Sequence, residues 1–327
     1  MPLSPTVAVA IAGGAVGLAV LVVASRVAVG KAVAVARAAG VAEEVVAVSV
    51  IAVGTSLPEI AAHLTASAGI LSGTLDPTVA AATVLGGNMG SSTTQQLLLV
   101  GVFLVGYGRL EPSDALVRTT YLPMLLAFAL VLAVAWDRTL SRLDGVVMVG
   151  AYLAYLYYTY DRRPRTTMLA EEGGPHPLRD AAVGVAALLA VVASAYLVLE
   201  AVEVAVAALA LNTSMVGVLT LGLAAALPEL SAVVESLRRR AHAIALGTLL
   251  GSNLVNVLLA AGLGAAASTY VVPPSVVLWD LPFKLGVGVA GVASLRSSGG
   301  EVGRTEGMAL VVLYFLFLAG RFLLFPG

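Results

Sequence analysis

GTSLPEIAAHLTAS at residues 54–67, followed by GGNMGSS at residues 86–92, recurs later in the chain in related form. The second copy reads AAALPELSAVVES at residues 224–236 and GTLLGSN at residues 247–253. In each copy a Pro-Glu pair lies within an apolar run, and a glycine-containing segment with small polar residues comes after it. The chain is therefore expected to consist of two related halves.

The composition is typical of a membrane protein. Of the 327 residues, 59% are hydrophobic, while only 18 are Lys or Arg and 19 are Asp or Glu. About a quarter of the residues in a soluble domain are charged, so an ordinary water-soluble protein is excluded. The sequence has no cysteine, which also excludes disulfides, thiolate metal sites and cysteine nucleophiles.

Apolar runs long enough to cross a bilayer, about 20 residues each, predict an all-α polytopic protein with ten transmembrane helices. The predicted spans cover residues 6–25, 41–66, 77–106, 119–136, 143–160, 180–209, 213–236, 241–268, 275–295 and 307–325. A polar segment at residues 161–179 separates a first repeat at 1–160 from a second repeat at 180–327. Because five spans is an odd number, the two halves must cross the membrane in opposite senses, as two inverted five-helix repeats.

Basic residues predict the orientation, since Lys and Arg are retained on the cytoplasmic side of a membrane. If both termini lie outside, only four of the 18 basic residues fall on the outer side, namely Arg138, Arg142, Lys284 and Arg321. The segment at residues 161–179 is then a cytoplasmic linker. This asymmetry predicts a multi-pass protein of the cell membrane with both termini outside.

Two carboxylates are expected in the middle of spans. Glu59 and Glu229 fall within spans 2 and 7, where an isolated charge costs at least several kcal/mol. Each follows a proline, Pro58 or Pro228, and a proline inside a helix leaves the carbonyl four residues earlier without its donor. Loosened backbone at membrane depth is tolerated where it lines a polar cavity. Two carboxylates beside free carbonyls predict a site for a hard cation, which prefers oxygen ligands.

Further oxygen ligands follow at helical spacing. Ser56 lies three residues before Glu59, and the pairs Ser91 with Gln95 and Ser252 with Asn256 are four residues apart. Residues three or four apart share one face of a helix. If the two halves face each other, these groups converge with the carboxylates, whose summed charge suits one divalent ion.

Some features of the same segments have a simpler interpretation. Gly86, Gly87 and Gly90, with Gly247 and Gly251 in the second half, are interpreted as surfaces for close helix packing.

His63 follows Glu59 by one turn, but a single histidine is more typical of a hydrogen-bonded helix residue than of a metal ligand. The sequence contains neither a HExxH metalloprotease motif nor a GxSxG nucleophile elbow. The chain is therefore not expected to be an enzyme.

The motifs resemble the cation/Ca2+ exchanger superfamily, and within it the prokaryotic sodium/calcium exchangers. GTSLPE at residues 54–59 is similar to the first-repeat signature of that family, and GSN at residues 251–253, followed by Asn256, is similar to its second-repeat helix. The resemblance covers both halves and implies ten spans with outside termini. It also implies that spans 1 and 6 slide against a rigid central bundle and expose the site to either side in turn.

The resemblance also implies roles for individual residues. Glu59 and Glu229 would be the carboxylates that bind Ca2+. The neighbouring ligands would be Ser56, Ser91, Gln95, Ser252 and Asn256, with backbone oxygens from Thr55 and Ala52. The transported ions would be Ca2+ and Na+, and no prosthetic group is expected.

This chain also departs from the family pattern. Ala224, Ala225 and Ala226 stand where the second repeat would have GTS, so the hydroxyl matching Ser56 is missing. Gln95 replaces a shorter asparagine. Fewer oxygen ligands are therefore available to bind several Na+ ions. The identity of the ion that drives exchange is left open by the sequence.

The sequence thus predicts a secondary active antiporter that exchanges Ca2+ for Na+ by alternating access at one shared midplane site. Two alternatives remain. A proton can neutralise the same carboxylates, so a Ca2+/H+ or other cation antiporter fits, and a relative that binds cations without transport also fits. The expected partners are Ca2+, Na+ and the lipid bilayer, with no nucleic acid and no obligate protein partner.

Overall fold

The computed structural model describes residues 5–38, 56–160, 177–209, 212–227, 229–230 and 242–326. These residues are mostly helical. The α-helices are α1 Pro5–Ala38, α2 Leu57–Ser72, α3 Pro77–Thr93, α4 Val100–Tyr107, α5 Asp114–Leu116, α6 Leu122–Val134, α7 Arg142–Tyr160, α8 Pro177–Leu209, α9 Thr213–Gly217, α10 Leu223–Ala225, α11 His242–Leu254, α12 Ala261–Ala267, α13 Leu281–Ser297 and α14 Arg304–Leu324. Two short strands, β1 Thr139–Leu140 and β2 Tyr270–Val271, pair antiparallel.

Six of the described helices are long and apolar enough to cross a membrane. They are Val7–Ala28, Asp114–Val134, Leu178–Ala208, Leu246–Ala267, Val276–Ser297 and Arg304–Leu324. This confirms a helical integral membrane protein, whereas the count of ten spans and the inverted repeat stay predictions. Parts of predicted spans 2 and 7, at 41–55 and 231–236, lie outside the described residues, as does most of the predicted linker at 161–176.

Helix α1 continues 13 residues past the predicted end of span 1 at residue 25. The hydropathy pattern ends the span there because Arg26 and Lys31 are charged. In the structure, the Lys31 ammonium pairs with Asp180 of α8 at 2.6 Å, so the helix carries its charges beyond the apolar part. Long basic side chains of this kind keep an apolar stem against a neighbour and a charged end in a polar environment.

Several helices contain a π-helical turn, in which one extra residue widens the helix. Among the described residues these turns are Thr94–Leu99, Val117–Tyr121, Val218–Gly222, Val255–Ala260 and Val276–Asp280. The first joins α3 to α4 and the fourth joins α11 to α12, which are equivalent places in the two sequence halves. Gln95 and Asn256 lie in these two turns.

Helices α1 and α8 pack against each other in antiparallel directions. A Cβ atom on Gly14 would lie 2.7 Å from the Cβ atom of Ala201, and one on Gly17 would lie 3.1 Å from Val198. Small residues allow this close approach, which supplies van der Waals contact where lipid removes the hydrophobic driving force.

The glycine face of α3 packs against the helix formed by α9 and its π-turn. Gly86 faces Ser214, Gly87 faces Leu221, and a Cβ atom on Gly90 would lie 2.7 Å from the Cα atom of Val218. The packing interpretation is therefore confirmed for these three glycines. No described residue lies within 4 Å of a Cβ atom built on Gly247 or Gly251.

Contacts between loops join segments that the predicted alternation places on the same side. Strands β1 and β2 come from the predicted outer loops after spans 4 and 8. Leu110 and Val302 form an isolated bridge between the predicted inner loops after spans 3 and 9. At the predicted outer end of α8, Glu203 accepts a hydrogen bond from the backbone N–H of Asp76 at 2.5 Å.

The structure corrects the placement of two basic residues. The sequence places Lys284 and Arg321 on the outer side of the membrane, but in the structure both side chains are buried, on helices α13 and α14. Arg321 pairs with Asp280. Only Arg138 and Arg142 therefore count as outer basic residues. A side chain buried inside the bundle does not lie at the membrane surface, so its charge gives no information on orientation.

Candidate ion-binding site

Glu59 lies in the first turn of α2. That helix begins at Leu57, so Pro58 occupies a position where its missing N–H is not needed. The residue before the helix, Ser56, has φ −95° and ψ 16°, in the sparsely populated bridge region where active-site residues are often found. The sequence predicts that Pro58 lies in the middle of a helix. In the structure it lies instead in the first turn of α2.

The Glu59 carboxylate is buried and contacts side chains from both sequence halves. Its Oε1 atom accepts a hydrogen bond from Ser91 Oγ at 2.7 Å and another from Asn256 Nδ2 at 3.0 Å. Ser91 is on α3, and Asn256 is in the π-turn after α11. Three helices therefore meet at this one oxygen.

Glu229, in the second half, is fully buried near the same place. It interacts electrostatically with Glu59, and the Ser252 hydroxyl and the Arg26 guanidinium are also close enough to interact with it. The two buried carboxylates therefore lie near enough to influence each other, and their joint binding of one cation stays a prediction.

Amide side chains extend the network beyond Ser91. Gln95 Nε2 donates to Ser91 Oγ at 3.2 Å, and Asn253 Nδ2 donates to Gln95 Oε1 at 3.2 Å. Asn253 also donates to the carbonyl of Leu249 at 2.8 Å. The chain of contacts therefore runs from Glu59 across α3 to α11.

Several buried oxygens, three in this network and one on Ser56 just before α2, have no hydrogen-bond donor among the described residues. They are Ser56 Oγ, Glu59 Oε2, Asn253 Oδ1 and Asn256 Oδ1. A buried acceptor without a partner costs free energy, and a bound cation would supply the missing contact. No third carboxylate or histidine joins the cluster in the part of the chain that the structure describes. A hard cation here would therefore take two carboxylates and neutral oxygens.

Most of the predicted ligands lie together. Glu59, Ser91, Gln95 and Asn256 are joined by hydrogen bonds, Ser252 lies beside Glu229, and Ser56 is buried just before α2. Thr55 and Ala52 lie outside the described residues. That these groups bind a metal stays a prediction.

Asn88 is a part of the network that sequence reasoning missed. Its Nδ2 atom donates to the carbonyl of Asn256 at 2.6 Å and lies 3.2 Å from Nε2 of His63. The spacing contained a signal, because Asn88 lies three residues before Ser91 on the same helix face. The Asn88 contact gives His63 a hydrogen-bond partner, which agrees with its interpretation as a hydrogen-bonded helix residue. Its ring also stacks on that of Tyr270, with the ring centroids 5.8 Å apart.

Comparisons with known proteins show the family and the fold. The family described as "Sodium/calcium exchanger protein" matches residues 9–160 and 181–323. The putative antiporter CaxA of Alkalimonas amylolytica is 27% identical over 95% of this chain and 97% of that protein. The crystal structure of the H+/Ca2+ exchanger CAX shares the fold with a TM-score of 0.78 at 16% identity, covering 97% of this chain and 82% of that one. The structure of the sodium-calcium exchanger NCX_Mj also shares the fold, with a TM-score of 0.61 at 22% identity. This match covers 96% of this chain and 99% of that one.

Proposed function

Because the chain belongs to the sodium/calcium exchanger protein family, we propose that it is a secondary active antiporter that exchanges Ca2+ for Na+ at one site around Glu59 and Glu229. The family relation establishes that the chain is a membrane transporter and not an enzyme. It also establishes the class of cargo, which is Ca2+ together with Na+ or H+. The proposal therefore concerns two points: that Na+ is the driving ion, and that the ions bind around Glu59 and Glu229.

The observation that carries the proposal is the contact of Glu59 with both halves of the chain. Its carboxylate accepts hydrogen bonds from Ser91 and Asn256, and Glu229 lies near enough to interact with it electrostatically. Two buried negative charges in a low-dielectric interior need compensation. A Ca2+ ion, or monovalent cations in its place, would supply that compensation.

Competition for the same carboxylates accounts for exchange. A protein conformation with two bare carboxylates in the membrane is unfavourable, so the site would change its exposure only when it is neutralised. Ca2+ and Na+ cannot occupy the same oxygens together. Loading with one ion on one side and release on the other then couples the two fluxes.

Helices α1 and α8 are the elements we propose to move. They pack on each other through small residues such as Gly14 and Ala201, which supports movement as a pair. Their contacts with the remaining helices include a hydrogen bond from Arg26 to the carbonyl of Leu227 at 3.4 Å and the contact of Glu203 with Asp76. A few polar contacts of this kind can exchange as a helix pair slides.

We also propose that the chain crosses the membrane ten times in two inverted repeats with both termini outside. The π-turns at Thr94–Leu99 and Val255–Ala260 support the repeat, because each joins the two parts of an equivalent helix. The pairing of β1 with β2, and of Leu110 with Val302, supports the alternation of loops.

One observation favours proton coupling as the second candidate. Ala224, Ala225 and Ala226 are buried where the family pattern would place a hydroxyl, so the second half offers fewer oxygens to Na+. Proton binding to a carboxylate needs no such oxygen cage. Ca2+/H+ exchange at the same site is therefore the alternative.

Paired gradients in proteoliposomes test the two candidates. We expect an outward Na+ gradient to drive uptake of radiolabelled Ca2+, and a pH gradient alone to drive none. The opposite result would select proton coupling. Absence of Ca2+ uptake under either gradient, from protein that binds Ca2+, would indicate a relative that binds without transport.

A further inference from the structure

A cavity of about 240 Å³ lies between helices of the bundle and is separate from the candidate ion site, since neither Glu59 nor Glu229 lines it. Its lining comes mainly from α4, α11, α13, α14 and two of the π-turns, and most of the lining side chains are apolar. Ala290 and Ala309, on α13 and α14, line the cavity and are exposed. The cavity therefore opens at the surface of predicted spans 9 and 10, where lipid would lie.

Gln96 is a buried polar side chain in this lining, with only 4% of its surface exposed. Its Nε2 atom donates to the backbone carbonyl of Lys284 at 3.2 Å. Its Oε1 atom is buried and has no hydrogen-bond donor among the described residues. Buried polar groups in native proteins are nearly always hydrogen-bonded, so this oxygen indicates a missing donor.

Tyr121 offers a second acceptor to the cavity. Its hydroxyl donates to the backbone carbonyl of Gly288 at 2.9 Å, so its one proton is used and only its lone pairs remain. Gln96 is close to the same glycine, because a Cβ atom built on Gly288 would lie 3.5 Å from Gln96 Nε2. Two side chains that can accept a hydrogen bond therefore lie near one residue of α13.

The size and lining of the cavity limit the class of ligand. An apolar cavity of about 150 Å³ holds benzene, so this one has room for an aromatic ring with a short alkyl chain. An ion would lose its hydration among the apolar side chains without enough polar partners to replace it. The end of a lipid acyl chain would fit the apolar lining, but it brings no donor for Gln96.

We propose that this cavity binds an uncharged amphiphile from the membrane, with an apolar body and one hydroxyl or N–H group that donates to Oε1 of Gln96. Sites of this kind, apolar with a few polar groups that fix orientation, are common between the helices of bundles. The bound molecule would contact α4, α13 and α14 together and stabilise their packing. This site goes beyond the exchange of ions and does not depend on which ion drives exchange.

The test measures thermal unfolding of the purified protein in detergent, with 4-butylphenol as the probe and butylbenzene as its match without the hydroxyl. A ligand that binds only the folded protein raises the unfolding midpoint in a saturable way. We expect 4-butylphenol to do so. Butylbenzene should need about fivefold more for half of the maximal shift, because it lacks one hydrogen bond.

Three variants locate the site. Ala309→Phe and Ala290→Phe each place a large side chain in the cavity from an exposed position, and either should remove the shift caused by 4-butylphenol. Gln96→Met removes the acceptor at similar size and should make the two probes equal. Ala8→Phe, at an exposed position of α1 outside the cavity, is the control and should keep the shift.

Equal half-saturation by the two probes in the unmodified protein would overturn the hydrogen-bonded amphiphile and leave a site for apolar chains only. No shift with 4-butylphenol, or the same shift in Ala309→Phe, Ala290→Phe and Ala8→Phe, would overturn the cavity as the binding site. None of these measurements involves Ca2+ or a Na+ gradient. Their failure is therefore distinguishable from a failure of the proposed exchange.

Discussion

At the scale of single residues, the two glutamates have different surroundings. Glu59 is held by two donors, Ser91 and Asn256, while Glu229 lies beside Ser252 and Arg26. The Asn256 amide directs its N–H towards Glu59 and keeps its own oxygen without a donor among the described residues. A cation at Glu59 would favour the opposite orientation of that amide, with the oxygen towards the metal. Ion binding would thus reorganise the hydrogen bonds that hold the ion-free site.

Removal of either carboxyl charge should abolish exchange. We expect Glu59→Gln and Glu229→Gln to fold, because a neutral amide costs less to bury than a carboxylate. Their Ca2+ affinity should fall by more than about tenfold, since a charge-assisted contact of about 1.5–3 kcal/mol is lost. Calorimetry and flux assays measure the two effects. Glu111→Gln, at an exposed position, is the matched control, and normal transport by either site variant would exclude that residue from the site.

A hydroxyl restored in the second half should improve the site for Na+. Ala226 is buried and occupies the position that matches Ser56 of the first half. We expect Ala226→Ser to shift the Na+ titration of Ca2+ uptake to lower concentrations, because Ser adds an oxygen ligand. The same substitution at Ala127, which is also buried but lies on α6, is the control. Identical Na+ titrations for Ala226→Ser and the unmodified protein would show that Ala226 only fills space.

For the helices, hydropathy predicts their positions in the sequence better than it predicts the geometry within each helix. The described helices lie within or close to the predicted spans. A run of about 20 apolar residues in lipid satisfies its backbone hydrogen bonds by forming a helix. The sequence gives no sign of the π-turns at Thr94–Leu99 and Val255–Ala260. A π-turn depends on how neighbouring helices pack. It changes neither the length nor the composition of the apolar run, so hydropathy does not detect it. These turns place Gln95 and Asn256 in the site.

The packing of α3 on the α9 segment can be tested at one glycine. A Cβ atom on Gly90 would lie 2.7 Å from both the Cα and carbonyl oxygen of Val218, and the backbone cannot move aside as a side chain can. We expect Gly90→Ala to lower the free energy of unfolding by about 1–3 kcal/mol, the usual cost of overpacking. Thermal unfolding in detergent measures the change. Gly150→Ala is the control, because no described residue lies within 4 Å of its Cβ position; equal effects of the two substitutions would contradict close packing at Gly90.

At the scale of the whole molecule, contacts between loops group the ends of the helices into two sets. The β1 and β2 strands join one pair of loops, and the bridge of Leu110 with Val302 joins another. The salt bridge of Lys31 with Asp180 links the predicted inner ends of α1 and α8. Each of these contacts joins segments that the predicted ten crossings place on the same side of the membrane.

The absence of cysteine makes the orientation directly testable. We expect a membrane-impermeant maleimide to label Asp137→Cys in intact cells, because Asp137 is exposed in a predicted outer loop. Ser298→Cys, exposed in a predicted inner loop, should react only after the membrane is permeabilised. The unmodified chain is the control for background labelling. Labelling of both positions in intact cells would contradict the ten-span alternation.

Composition alone is enough to identify a membrane protein here, and the repeated motifs predict two related halves with one buried glutamate in each. These follow from local composition and from repeated motifs, and both are readable without knowledge of distant contacts. Which polar groups meet, in contrast, is seen only once the helices are packed. Asn256 reaches Glu59 from 197 residues away, and Lys284 turns into the bundle instead of towards the membrane surface. The physical reason is that the direction of a side chain depends on the helices that pack around it.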